Sequence, residues 1–221
     1  TNSTGNTFNV LGNTLFEADA SGIASFIDNG TSTFTIAPIV QQYLTNNVWH
    51  YVSSPVSGAL SGVYTGIWLR TFDELTDSWN ANITGTGIPL TPAMKGYAAW
   101  APTNPATVLF NGSLNNGSYS IPITAQSSGS NNGWNLVGNP YPSSLNWDAA
   151  GWGKSAIDNT IYYYSGNSGM SNYYYYVGSG TAPFVAANNG TNEIPPQQGF
   201  FVHATTNGTL SVNNNARIHS G

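Results

Sequence analysis

The sequence predicts an all-β protein, and three observations support this prediction. Short runs of β-branched and aromatic residues recur along the 221-residue chain, bounded by Gly, Asn, Pro and Ser. Helical periodicity is nearly absent. Asn-Gly pairs, which favour tight hairpin turns, occur at six positions, and we expect some of them to close hairpins. The predicted architecture is an antiparallel β-sandwich, jelly-roll-like, with an N-terminal strand-rich lead-in.

The predicted strands follow one another along the whole chain. They are Thr14–Ala18, Ile23–Ile27, Ile39–Leu44, Val48–Val52, Gly66–Phe72, Gly96–Ala101, Thr107–Asn111, Tyr119–Ile123, Trp134–Gly138, Ile161–Tyr164, Tyr173–Val177, Gly199–Ala204 and Thr209–Val212. One helical turn is predicted over Trp147–Gly151, capped by Asn146 or Ser144.

Composition limits the function classes. Apolar residues make up 40% of the chain, enough for a substantial core, whereas charged residues make up only 6%. Solubility then depends on neutral polar side chains, which favours an extracellular or cell-surface location. Four Lys and Arg against nine Asp and Glu give a net charge of −5, so nucleic acid is not an expected partner. No apolar run is long enough to predict a transmembrane segment, and cysteine is absent.

The chain contains an internal duplication. The segment WHYVSSP, starting at Trp49, aligns with WNLVGNP, starting at Trp134, at an offset of 85 residues. IWL aligns with IYY at an offset of 94, and PAMKGY aligns with PPQQGF at an offset of 103. The growing offset indicates two loop insertions in the second copy.

We therefore divide the chain into three parts: the lead-in, 1–46; a first β repeat, 47–125; and a second β repeat, 126–221. The lead-in is either the end of a β-solenoid or a strand exchanged between neighbouring molecules.

Several long segments resemble a known group of proteins. WHYVSSPVSG, GWNLVGNPYPSSLNWD, IPPQQGFFVHA and NNNARIHS are similar to the β-rich region of large secreted and cell-surface proteins of the Bacteroidetes. The upstream ADASGIASFIDNG also fits this resemblance. The resemblance implies export by the type IX secretion system and carries no catalytic or binding residues over to this chain.

The repeated aromatic and proline motif is interpreted as structural. The strand is expected to end in a rigid corner formed by Asn139, Pro140 and Pro142. A cis peptide bond before Pro140 or Pro142 is compatible with this corner. Pro55 is the equivalent proline of the first copy. Trp49 and Trp134 are expected to alternate inward and pack beneath the corners.

The tyrosine tracts are the main candidate for a ligand or partner surface. YYY and YYYY flank a Gly-Ser-rich loop and are expected to pair as an antiparallel hairpin. Exposed Tyr and Trp rings suit stacking on sugars or contact with proteins. The residues proposed for this surface are Tyr163, Tyr174, Tyr176, Trp147 and Trp152. The alternative is an aromatic ladder that only stabilises the sheet.

An acidic cluster is the one metal candidate. Asp73, Glu74 and Asp77 lie close together in the first copy and offer the oxygen ligands that calcium prefers. Their spacing differs from that of a calcium-binding loop, and a solvated turn is the simpler interpretation. No other cofactor is expected.

Signatures of enzymes are missing, so we predict no catalytic residues. The sequence has no Gly-x-Ser-x-Gly elbow, phosphate-binding loop, zinc-protease motif or cysteine nucleophile. The function expected is a non-catalytic structural or adhesion module that contacts copies of itself or other extracellular proteins and self-assembles into a filament or surface layer. The alternatives are a carbohydrate-binding module, with glycans as partners, and an accessory domain of an enzyme.

Overall fold

The structure of the protein is a computed structural model that describes residues 1–126, 132–164, 166, 173–179, 186–187 and 190–219. It is an all-β, sandwich-like fold of several small sheets, most of them antiparallel. The predicted fold class is confirmed. The helical turn expected at Trp147–Gly151 is a hydrogen-bonded turn instead, held where the side chain of Asn146 accepts from the amide of Asp148 at 2.9 Å.

The lead-in is built by parallel pairing. Its strands are β1 (Thr7–Val10), β2 (Leu15–Phe16), β3 (Ala18–Asp19), β4 (Gly22–Ile23) and β5 (Thr31–Phe34). Thr7 lies opposite Thr31 in β5, and Leu15 lies opposite Ile39 in the next strand, so both parallel pairs have the same offset of 24 residues. A constant parallel offset is how one coil of a β-solenoid stacks on the next. Each of these strands finds its partner within the chain.

The first repeat contains seven strands and one 3₁₀ turn. They are β6 (Ile39–Leu44), β7 (Trp49–Val52), the turn Ser61–Tyr64, β8 (Trp68–Arg70), β9 (Phe72–Asp73), β10 (Ser78–Trp79), β11 (Tyr97–Trp100) and β12 (Ala106–Asn111). The sheet β7-β11-β8 packs on the sheet β12-β6-β2. Val40, Leu44, Val108 and Phe110 alternate with more exposed residues along β6 and β12 and fill the first core.

The second repeat has the same plan with additional strands. They are β13 (Tyr119–Ile123), β14 (Trp134–Gly138), β15 (Ser144–Asn146), β16 (Trp152–Gly153), β17 (Ile157–Tyr164), β18 (Tyr173–Val177), β19 (Ala186–Ala187), β20 (Glu193–Ile194), β21 (Gly199–Ala204), β22 (Gly208–Val212), the 3₁₀ turn Asn214–Ala216 and β23 (Arg217–Ile218). Its main sheet is β14-β21-β17-β18-β19, and the second core lies between this sheet, the sheet β13-β22-β16 and the sheet β20-β15-β23.

The register of the central strands shows that the repeats are equivalent. Val52 pairs with Tyr97 in the first repeat, and Val137 pairs with Phe200 in the second. These four residues are related by the offsets of 85 and 103 that the sequence predicts. The strand order β7-β11-β8 likewise corresponds to β14-β21-β17.

One part of the alignment was wrong. Leu69 lies opposite Ala99, and Ile161 lies opposite the equivalent residue Val202, so β8 and β17 align at an offset of 92 and not 94. A slip of two residues keeps every side chain on the same face of the sheet, so the alternating pattern could not detect it.

Strand pairing also moves the repeat boundaries. β6 pairs with β12, and β13 pairs with β22 in the equivalent way. Each repeat therefore starts one strand earlier than the boundaries 47 and 126. Both strands belong to the core of the repeat that follows them, a relation that is visible only from the pairing.

The expectation about hairpin turns was also wrong. Among the described residues, the neighbouring strands that pair are β3 with β4, β9 with β10, β17 with β18 and β18 with β19, and none of these connections contains an Asn-Gly pair. Asn207-Gly208 illustrates the reason, because it leads from β21 to β22 in a different sheet. Most Asn-Gly pairs therefore lie in connections between sheets. Asn189 lies outside the described residues.

Candidate functional site

The two repeats contact each other through the segments that carry the repeated motifs. The amide of Ser53 donates to the carbonyl oxygen of Gln197 at 2.9 Å, and the amide of Gly138 donates to that of Met94 at 2.8 Å. Ser53 is equivalent to Gly138, and Met94 is equivalent to Gln197. Each repeat therefore gives the other the same hydrogen bond.

Two backbone bridges show the same exchange. Val52 bridges with Gln198, and the equivalent residues Val137 and Lys95 bridge with each other. When residue i of one unit contacts residue j of the other and the reverse also holds, the interface has twofold character. The repeats are thus related by an approximate twofold axis within one chain.

Two glycines make this close approach possible. A Cβ on Gly96 would lie 2.5 Å from the carbonyl oxygen of Val137, and a Cβ on the equivalent Gly199 would lie 2.7 Å from the amide nitrogen of Val52. The motif Pro-x-x-x-Gly is therefore explained by packing between the repeats.

The corner of the second copy is organised by the side chain of Asn139. Its Nδ2 donates to the carbonyl oxygens of Ser143 and Pro195, both at 2.8 Å, and its Oδ1 accepts from the amide of Tyr141 at 2.9 Å. Asn139 is fully buried. A buried amide with these partners holds the backbone of the corner in one conformation.

Pro55, Pro140 and Pro142 lie where the chain leaves β7 and β14. The buried Asn115 links the two corners, because its Nδ2 donates to a carbonyl oxygen of each at 3.1 and 2.8 Å. The bonds before Pro140 and Pro142 are trans; the cis bond found in the described chain is Thr91–Pro92.

Trp49 and Trp134 do not pack beneath the corners, contrary to the sequence expectation. Each precedes a buried valine, Val52 or Val137, by three residues, so tryptophan and valine lie on opposite faces of the strand. The valines fill the two cores, and both tryptophans are half-buried on the other face. The two positions are nevertheless equivalent in register.

The tyrosine tracts pair as the expected hairpin, with Tyr163 opposite Tyr174 and Ile161 opposite Tyr176. The proposed surface residues lie on the wrong face, however. Tyr163 packs against the second core and donates its hydroxyl to the carbonyl oxygen of Glu193 at 3.0 Å. Tyr176 is buried in that core, and Tyr174 is half-buried. An all-tyrosine strand gives no pattern from which to choose a face.

Trp147 and Trp152 do not form a stacking platform either. Trp147 is fully buried, and its Nε1 donates to the carbonyl oxygen of Asn159 at 3.2 Å. Trp152 is half-buried, with its ring centroid 4.8 Å from that of Trp147. Both rings belong to the second core.

Asp148 anchors the base of the tyrosine hairpin. Its carboxylate accepts from the hydroxyl of Tyr176 at 2.6 Å, the amide of Ser179 at 2.7 Å and the Nδ2 of Asn192 at 3.1 Å. Burial acts to raise the pKa of Asp148, but these hydrogen bonds outweigh it and lower the pKa below the usual 3.8.

The acidic cluster serves to hold a loop. Glu74 is buried, and its carboxylate accepts from the hydroxyl of Thr124 at 2.7 Å and from the amides of Gln126 and Gly133, both at 2.9 Å. Asp73 accepts from a neighbouring amide in its own turn. Asp73, Glu74 and Asp77 therefore do not converge on a shared ligand position. Among the residues that the structure describes, no group of three or more His, Asp or Glu could hold a metal ion.

The outer faces of the two central sheets, together with the pair β9 and β10, form an aromatic layer between the repeats. Its rings contact one another at centroid distances of 4.8–6.5 Å. The aromatic layer consists of Trp49, Tyr51, Trp68, Phe72, Trp79, Trp100, Trp134, Tyr162, Tyr164, Tyr173, Tyr175 and Phe201.

The aromatic layer opens into a pocket of about 250 Å³ on the side of the first repeat. This aromatic pocket is lined by Trp49, Tyr51, Arg70, Trp79, Ala98, Tyr164 and Tyr173. The ring of Tyr51 stacks on Tyr164 at 5.2 Å and contacts Trp79 at 5.7 Å. The hydroxyls of Tyr51 and Tyr173 are 2.7 Å apart, and burial raises the pKa of Tyr51 far above its usual value, so Tyr51 stays neutral.

The pocket exists in the first repeat because Ala98 is small. Ala98 lies directly between Tyr51 and Arg70 on the neighbouring strands. The equivalent position of the second repeat is Phe201, whose ring contacts Trp134 as well as Tyr51 and Trp79. The twofold relation is therefore broken at this position.

Among the described residues that line the pocket, Arg70 is the one with a charged side chain. Its Nε donates to the Oδ1 of Asn82 at 2.6 Å, and its guanidinium carbon lies 5.3 Å from the ring centroid of Trp49. Within the described part of the chain, its terminal nitrogens make no hydrogen bond. In the second repeat the equivalent residue is Tyr162, which packs its ring on Trp134.

Sequence reasoning missed this pocket. Of its lining residues, Trp49 was singled out for a different role, and Tyr164 and Tyr173 belong to the tyrosine tracts, from which other tyrosines were selected. The signal that could have found it is the difference between the two copies, Ala98 against Phe201 and Arg70 against Tyr162. The second of these is visible only with the corrected offset of 92.

A search of the described helices finds none that is long and apolar enough to cross a membrane. No curated protein and no solved structure matches the chain. One protein family does match, over residues 12–221, and it carries the description "Domain of unknown function (DUF8693)". With nearly its whole length matched, the chain belongs to this family.

Proposed function

We propose that the chain is a non-catalytic extracellular module with a structural and adhesive role in a secreted or surface-anchored protein. The observation that carries the proposal is the use of the repeated motif. Its backbone amides donate from one repeat to the other and its glycines allow the close approach, at equivalent positions in both copies. Residues that make such contacts in both copies indicate a structural role for the motif and not a catalytic one.

The location follows from composition. The chain has few charged residues and relies on Asn, Ser, Thr and Tyr for solubility, which suits an exported protein. The same composition does not suit a protein that must bind acidic partners. Export by the type IX system of the Bacteroidetes stays a prediction from the resemblance.

Antibody labelling of intact and lysed cells of the producing organism tests the location. We expect label on intact cells or in the medium. Label that appears only after lysis would contradict the proposal.

Self-association is part of the proposed structural role. With only 6% charged residues, little like-charge repulsion opposes contact between copies. Sedimentation velocity over a wide concentration range is expected to show larger species as concentration rises, and electron microscopy then distinguishes a filament from a layer. A chain that stays monomeric throughout would contradict self-assembly.

The second candidate function is carbohydrate binding, and the aromatic pocket favours it. Tyr and Trp rings offer rigid apolar area with polar edges, which suits the faces of sugar rings. A glycan array with the wild type and Ala98→Phe tests this function. Binding that the substitution abolishes is expected, whereas an array without any signal would contradict carbohydrate binding.

A further inference from the structure

We propose that the aromatic pocket binds one uronic acid residue of an acidic polysaccharide, with the sugar ring against the aromatic side chains and the carboxylate on Arg70. The inference rests on the second candidate function, carbohydrate binding, and deepens it to a ligand class.

The size of the pocket fits a single ring. Its volume of about 250 Å³ is below the range of about 300–1,000 Å³ that drug-sized ligands occupy. Tyr51 is buried at the base, while Trp79 and Tyr173 are 37% and 41% exposed. A monosaccharide unit can therefore enter while its glycosidic neighbours remain in solvent.

The charge of the pocket selects the ligand. The bond from Nε to Asn82 and the contact with Trp49 hold the Arg70 guanidinium in place. Its terminal nitrogens have no hydrogen-bond partner in the described chain, and a guanidinium fork matches a carboxylate with two parallel hydrogen bonds. The part of the chain that the structure describes places no carboxylate in the pocket lining. An ammonium ligand, which aromatic cages otherwise attract, would be repelled by this fixed positive charge.

The comparison between the repeats supports the same conclusion. The scaffold positions, such as Gly96 and Gly199, play equivalent roles in both copies. Ala98 and Arg70 are replaced in the second copy by the bulky aromatic residues Phe201 and Tyr162, whose rings contact Trp134. Two of the residues that differ between the copies, Ala98 and Arg70, thus supply space and charge in the pocket.

The test compares methyl β-D-glucuronide with methyl β-D-glucoside, which differ in the carboxylate. Binding is followed by tryptophan fluorescence and by NMR titration of the full chain, with acetate as a third probe. We expect the glucuronide to bind at least about tenfold more tightly than the glucoside, since hydrogen bonds to charged groups are strong. Acetate alone should not bind measurably, because it offers no ring to stack.

Two variants and one control complete the design. Arg70→Gln is expected to reduce glucuronide affinity to that of the glucoside, and Ala98→Phe is expected to abolish binding of both. Phenylalanine occupies the equivalent position in the second repeat, and thermal unfolding checks that the variant is folded. The control is Tyr174→Ala, which alters the opposite face of the tyrosine hairpin and should leave binding unchanged.

Each remaining outcome counts against the proposal. Equal affinity for the two glycosides, or glucuronide binding that survives Arg70→Gln or Ala98→Phe, would overturn it. If the glycan array shows neutral glycans whose binding depends on Ala98, carbohydrate binding stands and only the uronic acid assignment fails. If neither the array nor the glycosides give a signal, both fail.

Discussion

Replacing Gly96 or Gly199 with alanine tests the reciprocal interface between the repeats. A Cβ at Gly96 would lie 2.5 Å from the carbonyl oxygen of Val137, and a Cβ at Gly199 would lie 2.7 Å from the amide nitrogen of Val52. Attractive contacts between heavy atoms are at about 3.5–4.0 Å. Each methyl group must therefore push the two repeats apart by about 1 Å, because the atoms that it meets belong to the backbone and cannot rotate away.

The size of the effect follows from this geometry. Overpacking costs about 1–3 kcal/mol, and a clash with backbone should fall at the upper end, about 3 kcal/mol for each variant. For a chain of this length each kcal/mol lowers Tm by about 2–4 °C, so we expect a decrease of about 6–12 °C. The double variant should lose less than the sum, because both substitutions separate the same interface.

Chemical denaturation and thermal unfolding measure these differences. Gly87→Ala is the matched control, since a Cβ there would meet nothing within 4 Å. It should leave stability unchanged or raise it slightly. The twofold relation would be refuted if only one of Gly96→Ala and Gly199→Ala were destabilising, and close packing between the repeats would be refuted if neither were.

Three further predictions concern polar side chains that each accept or donate several hydrogen bonds. Glu74→Gln should destabilise the protein by about 2–4 kcal/mol. In the wild type, backbone N–H groups donate to the Glu74 carboxylate, whereas the glutamine side chain would turn its own NH₂ donor toward one of them. Unchanged urea denaturation would contradict this role. Asn115→Ala, which removes the link between the two corners, should cost about 2–3 kcal/mol in the same assay, and a loss below about 0.5 kcal/mol would show that the corners hold without it. Asp148 has a lowered pKa when folded, so its contribution is complete above the usual pKa of 3.8 and is lost as pH falls through the lowered value. Asp148→Asn should therefore be less stable than the wild type at neutral pH, with a difference that shrinks under acid; a difference independent of pH would contradict this linkage.

The strands were predictable where β-branched and aromatic residues form runs of five residues or more. Tyr119–Ile123, Trp134–Gly138 and Gly199–Ala204 are found with the predicted bounds. Strands of two residues, such as β9 and β16, carry no period and were missed or merged with their neighbours. The parallel pairing of the lead-in was also invisible, because its offset of 24 residues depends on contacts between distant segments.

The choice of face was the main error at the candidate site. Tyr173–Val177 offers tyrosine to both sides of the sheet, and only the packing of the second core decides that Tyr176 is buried and Tyr173 is exposed. Trp49 was placed in the core because large aromatic residues usually are. The core position of that strand belongs to Val52, and Trp49 lines the aromatic pocket instead.

Duplication explains why the pocket lies where the two copies differ. Two repeats that pack around a twofold axis must keep the same small residues and the same corners, so substitutions at Gly96 or Gly199 disturb both halves at once. The residue type is less restricted at positions on the outer face of each sheet. At such a position one copy can have a large side chain where the other has a small one. Ala98 and Phe201 are such a pair. The physical constraint on the scaffold thus directs the search for function toward the unequal pairs, and Arg70 is the one charged residue among those that line the pocket.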